Sequence, residues 1–167
     1  MSADPLRVLF VCAGNSARSV MAEALLNAMG RGRFVACSAG SDPAGSLDPL
    51  AVELLQRNRV PTDGLCSKSW SEFAREGSPG MDFIINVDPG VELQSCPAIP
   101  GQPLRVSWET ADPAIAGANE DDLKHAYFRV FSELQRRVSL LVALPLDKLD
   151  RDTLHRRLKD MGTREEG

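Results

Sequence analysis

Aromatic residues supply only 5% of the 167-residue chain, as one tyrosine, two tryptophans and six phenylalanines. So few rings offer little on which single-stranded bases could stack. There is no basic excess either: 19 Lys and Arg against 23 Asp and Glu give a net charge of −4 at pH 7. Nucleic-acid binding leaves the opposite footprint, so the balance argues against a nucleic-acid partner. The only two histidines, His125 and His155, are far apart, and no Cys-x-x-Cys pair occurs. That disfavours a zinc centre, and neither a metal nor a bound cofactor is expected. A GxxxxGK[ST] loop is missing, which disfavours nucleotide binding. No apolar run approaches the ~20 residues needed to span a bilayer, so no membrane role is expected. The opening Met-Ser-Ala-Asp-Pro carries neither a basic nor an apolar signal segment. The expected location is cytoplasmic.

What is present is a globular composition, 43% hydrophobic and 25% charged. A chain of this length reads as one domain, residues 1–167, able to bury roughly two thirds of its unfolded surface. Residues 6–11 form a short β-branched apolar run, the pattern of a buried strand. Val20, Met21, Ala24, Leu25, Ala28 and Met29 then recur at helical spacing up to a Gly30 stop. Further strands are predicted at 34–37, 82–87 and 104–108. Asp48-Pro49 marks a helix start, Asn119 opens the longest helix, and Asp150 caps a last one. Residues 88–102, with three prolines and two glycines, read as loop, and 163–167 as a frayed end. Alternating short apolar strands and helices predict an α/β fold: a single domain with a four-stranded parallel sheet and helices on both faces.

In such folds ligands bind beyond the carboxyl ends of the strands. The first strand runs into Cys12-Ala13-Gly14-Asn15-Ser16-Ala17-Arg18-Ser19, directly ahead of a helix. A turn of this kind aims successive backbone N–H groups inward, and the helix dipole adds positive potential. Residues 13–18 are therefore the candidate oxyanion binders, with Arg18 offering a two-pronged guanidinium. The same field stabilises a thiolate at Cys12. Gly14 allows close backbone approach, Asn15 tolerates a left-handed conformation, and Ser19 can donate to the sulfur. The bland reading of a cysteine ending a strand is inert core.

The stretch VLFVCAGNSARSVMAEALLN resembles the signature of the low-molecular-weight protein tyrosine phosphatase superfamily. Its central Asn-Ser is similar to the arsenate reductase branch. The likeness continues through Ser38-Ala39-Gly40, Pro49-Leu50-Ala51, Ser67-Lys68-Ser69, Cys96-Pro97, Trp108 and Asp112-Pro113-Ala114 with Gly117. The resemblance implies Cys12 as nucleophile, Arg18 as oxyanion binder and Ser19 as thiolate stabiliser. It also implies Asp112 as the acid that protonates the departing oxygen, although Asp-Pro alone reads as a turn. Arsenate and phosphate share shape and charge, so the loop itself does not separate reduction from phosphoryl transfer.

The resemblance further implies a thiol relay with its second and third cysteines in the loop after strand three. Cys96 matches the later position, but Asp88 or Pro89 stands where the earlier thiol belongs, and Ala17 replaces a further loop cysteine. An aspartate cannot carry out thiol–disulfide exchange. Three outcomes stay open: Cys96 reaches Cys12 directly, a small thiol such as glutathione completes turnover, or reductase activity is lost. Cys37 reads as core, and Cys66 as an exposed thiol or an alternative resolving one. The expectation is an arsenate reductase-like enzyme drawing on an external reductant, thioredoxin or glutathione with glutaredoxin. The alternatives are a phosphatase of the same superfamily, disfavoured for phosphotyrosine by the Ala114 and Ile115 that follow Asp112-Pro113, and a non-catalytic oxyanion-binding module.

Overall fold

The apolar run at 6–11 forms strand β1 (Leu6–Cys12), fully buried from Val8 to Val11. A strand with hydrocarbon on both faces must find its backbone partners within the sheet. β1 does so by pairing in parallel with β2 (Phe34–Gly40) on one side and β3 (Phe83–Asn86) on the other. β4 (Leu104–Ser107) pairs in parallel with β3 and completes the order β2-β1-β3-β4. The structure is a computed structural model that describes residues 4–115 and 119–162. Gly117 and the end expected to fray at 163–167 lie outside the described residues.

Four α-helices connect and follow the strands: α1 (Arg18–Met29), α2 (Pro49–Arg57), α3 (Glu120–Ala143) and α4 (Arg151–Met161). Three begin on the caps read from the sequence. Asp48 accepts from Leu50 N–H with Pro49 in the first helical position, Asn119 accepts from Asp122 N–H, and Asp150 accepts from Thr153 N–H. α1 differs, because Ala17 at its N-cap has no side chain with which to satisfy the first amides.

Side chains alternate across a strand, so β1 feeds two cores. Val8, Phe10 and Cys12 join the larger one, with residues of all four α-helices, while Leu9 and Val11 join a smaller one with Ile84, Val91, Cys96 and Ile99. The cover expected on both faces is therefore uneven. The α-helices supply the first face. On the second, Trp70, Phe73 and Leu93 come from 3₁₀ turns at Trp70–Ala74 and Leu93–Ser95. Pro61, Gly64, Pro79, Gly80, Pro89, Gly90, Pro97, Pro100 and Gly101 break up these connections, which leaves only single turns of helix. β2 runs three residues beyond the predicted strand, to Gly40, where its register meets Cys12.

From β1 the chain passes to one side to form β2 and later to the other to form β3 and β4. The switch point thus lies at the carboxyl ends of β1 and β3, where Cys12 and the segment after Asn86 emerge. A buried cation braces the neighbouring β4 exit. Arg137 of α3 is fully buried, pairs with Glu133 at 2.7 Å, and donates to Glu109 O, Thr110 Oγ1 and Gly162 O. His155, expected at the surface, is half-buried, with a ring nitrogen 3.2 Å from Arg105 O.

Two predictions follow from these burials. Arg137→Ala strips three acceptors and a carboxylate of their partner, and a loss of about 2–4 kcal/mol in urea unfolding is expected. Burial pushes the Glu23 carboxyl up from its ordinary value of 4.5, against the opposing pull of its Ser38 hydrogen bond and the Lys68 charge. Its neutral form is thereby favoured in the fold, so stability is fullest below the unfolded value and is lost as pH rises through the raised folded one. Glu23→Gln keeps an acceptor for Ser38 without the charge. The urea midpoint is expected to rise at about pH 7, with the gain gone at about pH 4.

Candidate active site

The turn after β1 is shaped from outside. The carbonyls of Cys12, Ala13, Gly14 and Ser16 accept hydrogen bonds from the N–H groups of Ser41, Asp42, Ala44 and Asp48, at 2.8–3.2 Å. Ser67 Oγ adds a second bond to Gly14 O, and the β2 end is held by Gly40 N–H to Lys68 O. A peptide's carbonyl and N–H point in opposite directions, so fixing the carbonyls outward turns the amides inward. Asn15 takes the left-handed conformation expected of it, with φ 46°. The close approach expected at Gly14 falls instead at Gly40. A Cβ at 14 would meet only Ser16 Oγ, at 3.5 Å, whereas one at 40 would stand 2.4 Å from Ala13 O.

Inside the turn, Cys12 Sγ is buried and has two polar contacts: Asn15 N–H at 3.2 Å and Ser19 Oγ at 2.9 Å. Either atom of the second contact can donate, and its neighbours bear on the choice. Lys68 N–H donates to Asn15 Oδ1, so the Asn15 amide turns Nδ2 toward Ser19 Oγ, to which it donates at 2.8 Å. That bond engages one of the two hydroxyl lone pairs and leaves the Ser19 proton free to donate to a thiolate at Cys12. The N–H groups of Gly14, Ser16, Ala17 and Arg18 have no hydrogen-bond partner among the described residues. Together with the uncapped start of α1 they make a concentration of positive potential beside the thiol.

Arg18 is linked to this turn through Asp88 and is not an open fork. Nη1 donates to Thr110 O at 2.9 Å, and Nη2 pairs with Asp88 Oδ2 at 3.0 Å and stands 4.0 Å from Asp112 Oδ2. Asp112 is half-exposed and also accepts from Ala114 N–H, the turn bond expected of Asp-Pro. Asp88 Oδ2 accepts from Ala13 N–H as well, at 3.0 Å. Asp88 thus occupies the first amide of the turn. Tyr127 donates to Asp48. Burial pushes its hydroxyl well above the usual range, the Asp48 bond and the Asp48 and Asp112 charges add to the rise, and Arg18 opposes it.

Residues 7–153 match the family model described as low molecular weight phosphotyrosine protein phosphatase. The chain belongs to this family. Its similarity falls on the arsenate reductase branch. It is 34% identical to the solved structure of an arsenate reductase from Archaeoglobus fulgidus, with a TM-score of 0.63, over 82% of this chain and 99% of the other. An arsenate reductase from Shouchella clausii is 30% identical over 78% of this chain and 91% of its own length. A protein named glutaredoxin arsenate reductase, from Synechocystis, is 27% identical over 82% and 96%.

In this family member the remaining cysteines are scattered. Cys96 is buried in the smaller core, on the opposite face of the sheet from Cys12, and burial pushes its thiol up while Arg105 pulls it down. Cys37 is half-buried, its thiol pushed up by burial and by Glu23, with Arg7 and Lys68 opposing. Cys66 is exposed, with Lys68 Nζ at 3.6 Å. Among the described residues no cluster of His, Cys, Asp and Glu is arranged to hold a metal ion, and no helix is long and apolar enough to cross a membrane. Sequence reading missed Asp88 as a site residue, along with Thr110, Arg137 and Gly40. Asp88 alone had a signal, since it stands two residues beyond β3, at the switch point.

Ser19→Ala removes one of the two donors to Sγ and leaves the fold of the turn to its backbone bonds. A hydrogen bond to a charged acceptor contributes about 1.5–3 kcal/mol, so alkylation of Cys12 by iodoacetamide near neutral pH is expected to slow by about tenfold or more.

Proposed function

We propose that this protein is an arsenate reductase-like enzyme that holds a tetrahedral oxyanion in the turn Ala13 to Arg18 and attacks it with Cys12. The observation that carries the reading is the pair of contacts on the Cys12 sulfur, from Asn15 N–H and the Ser19 hydroxyl, beside turn amides that have no hydrogen-bond partner among the described residues. These groups favour negative charge both on the nucleophile and on the oxygens of the group it attacks. The named arsenate reductases among its relatives support arsenic as the target.

In the first step the Cys12 thiolate forms a bond to arsenic. One As–O bond breaks, and Asp112 supplies the proton with which that oxygen leaves as water. In the second step a further thiolate attacks Cys12 Sγ. The S–As bond breaks with its electron pair left on arsenic, which departs as arsenite, while the two sulfurs become a disulfide. Two thiols are oxidised, and arsenic goes from pentavalent to trivalent. The second thiol comes from outside the chain in this reading, because Cys96 is held in the other core. Glutathione fits that role, with glutaredoxin resolving the mixed disulfide, and the relative named glutaredoxin arsenate reductase supports the pairing. Thioredoxin is the reductant expected if Cys96 instead reaches Cys12. A cytoplasmic setting, rich in reduced thiols, suits either.

The purified protein is expected to release arsenite from arsenate with glutathione and glutaredoxin. Cys12→Ser abolishes this, since a serine alkoxide is not accessible near neutral pH. Arg18→Ala weakens oxyanion binding by roughly 2–4 kcal/mol, the scale of a charged hydrogen-bonding partner. Cys96→Ser retains turnover, whereas its loss in that variant moves the resolving thiol to Cys96. No arsenite with either reductant refutes the reading. A second reading draws on the missing relay thiol: Cys12, Arg18 and Asp112 suffice for hydrolysis of an aryl phosphate through a phosphocysteine. Release of phosphate from an aryl ester, lost in Cys12→Ser, together with no arsenite, favours it.

A further inference from the structure

We propose that Asp88 makes the site selective for tetrahedral oxyanions that still carry a proton, hydrogen arsenate and hydrogen phosphate, against fully deprotonated ones such as sulfate and the dianions of phosphate esters. The inference rests on reading the turn from Cys12 to Arg18 as the oxyanion site and names the protonation class of its ligand. Asp88 Oδ2 sits on two of the donors that an anion would use, Ala13 N–H and Arg18 Nη2, both at 3.0 Å. Its other oxygen accepts from Gly90 N–H at 2.9 Å, and Asn86 Oδ1 accepts from Asp88 N–H, so the carboxylate is anchored within its own loop. Its side chain is 8% exposed, so solvent screens it little.

An anion bound at the remaining amides of the turn therefore comes to rest against a carboxylate. Ionised Asp88 has acceptors only, as does sulfate, and two acceptors of like charge in contact repel. Hydrogen arsenate and hydrogen phosphate each carry an O–H that can donate to Asp88 Oδ2, which turns that contact into a charge-assisted hydrogen bond. A phosphate ester loses its last proton near pH ~6, so at neutral pH it meets Asp88 as an acceptor-only dianion. Arg18 cannot compensate for all of this charge, because Asp112 stands 4.0 Å from the same Nη2. The carboxylate that replaces a relay thiol thus becomes a filter that favours the inorganic oxyanion over its esters.

The test is calorimetric titration of the reduced full-length protein with sodium phosphate and with sodium sulfate near neutral pH. Phosphate is expected to bind about tenfold or more tightly than sulfate, since like-charge juxtaposition costs more than the 1.4 kcal/mol that tenfold represents. In Asp88→Asn, whose amide can donate to either anion, the two affinities should fall within about threefold of each other, mainly through a gain for sulfate. Equal binding of both anions by the wild-type chain overturns the proposal and leaves the oxyanion site standing, as does an unchanged ratio in the variant. Binding of neither anion by the wild-type chain overturns the site reading itself. Should Asp88→Asn fail to fold, the wild-type ratio and the pH dependence of phenyl phosphate binding decide. Ester affinity is expected to fall as pH rises through ~6 while that of inorganic phosphate persists, and a parallel loss of both refutes the filter.

Discussion

The planar peptide is the constraint on which the site depends. Four carbonyls of the turn after β1 are bound from outside by the segment 41–48, and each rigid peptide unit then presents its N–H to the interior. No side chain is needed to turn these amides inward, which is why residues as plain as Ala13, Gly14 and Ala17 serve in the turn. The side chains that matter act one level out. Gly40 lets β2 come close enough for the clasp to reach, and the backbone of Lys68 locks the Asn15 amide, which in turn aims the Ser19 hydroxyl. The Cys12 thiol is met here by a chain of polar contacts whose origin is strand pairing.

The far wall of the site is built by different means. β4 ends in a turn whose Glu109 and Thr110 are gripped by the buried Arg137 of α3, and Thr110 O then accepts from Arg18. Arg18 therefore belongs to two systems at once: its backbone starts α1, and its guanidinium is tethered to the β4 exit. Removing a buried arginine's partners costs several kcal/mol, which makes this tether a rigid one. Asp112, two residues beyond Thr110, takes its place from the same turn. Asp112 and the Arg18 guanidinium are thus both placed by the turn that Arg137 grips.

Much of this was legible in the chain itself. The run ending at Cys12, the caps at Asp48, Asn119 and Asp150, and the left-handed Asn15 each follow from local chemistry that tertiary structure had no reason to override. The resemblance carried by residues 8–27 pointed to the family to which the chain belongs. Other features depended on long-range pairing. Gly40 reads as an ordinary strand-ending glycine until its register opposite Cys12 is known. Arg137 reads as one more cation on an amphipathic helix, and nothing local marks it as the one that is buried. Asp88 was legible only in its place just past β3, where Asp88 or Pro89 stands instead of the expected thiol, because its contact with Ala13 needs the order β2-β1-β3-β4 to bring the ends of β1 and β3 together.

That substitution also bears on how one turn can serve both phosphoryl transfer and arsenate reduction. The amides and the guanidinium respond to tetrahedral shape and negative charge, which the two substrates share. Discrimination must then come from groups beside the turn, and two kinds are available. One is a second thiol, which permits reduction after the first attack. The other is an acceptor that tests the incoming anion for a proton. In this chain the loop after β3 offers the carboxylate of Asp88, and its Cys96 is buried on the other face. Without an internal thiol, the proposed reduction draws its electrons from an external donor such as glutathione. Placing a carboxylate there restricts what reaches the sulfur to anions with an O–H to give. The two consequences agree, because hydrogen arsenate has such a group at neutral pH and an ester dianion does not.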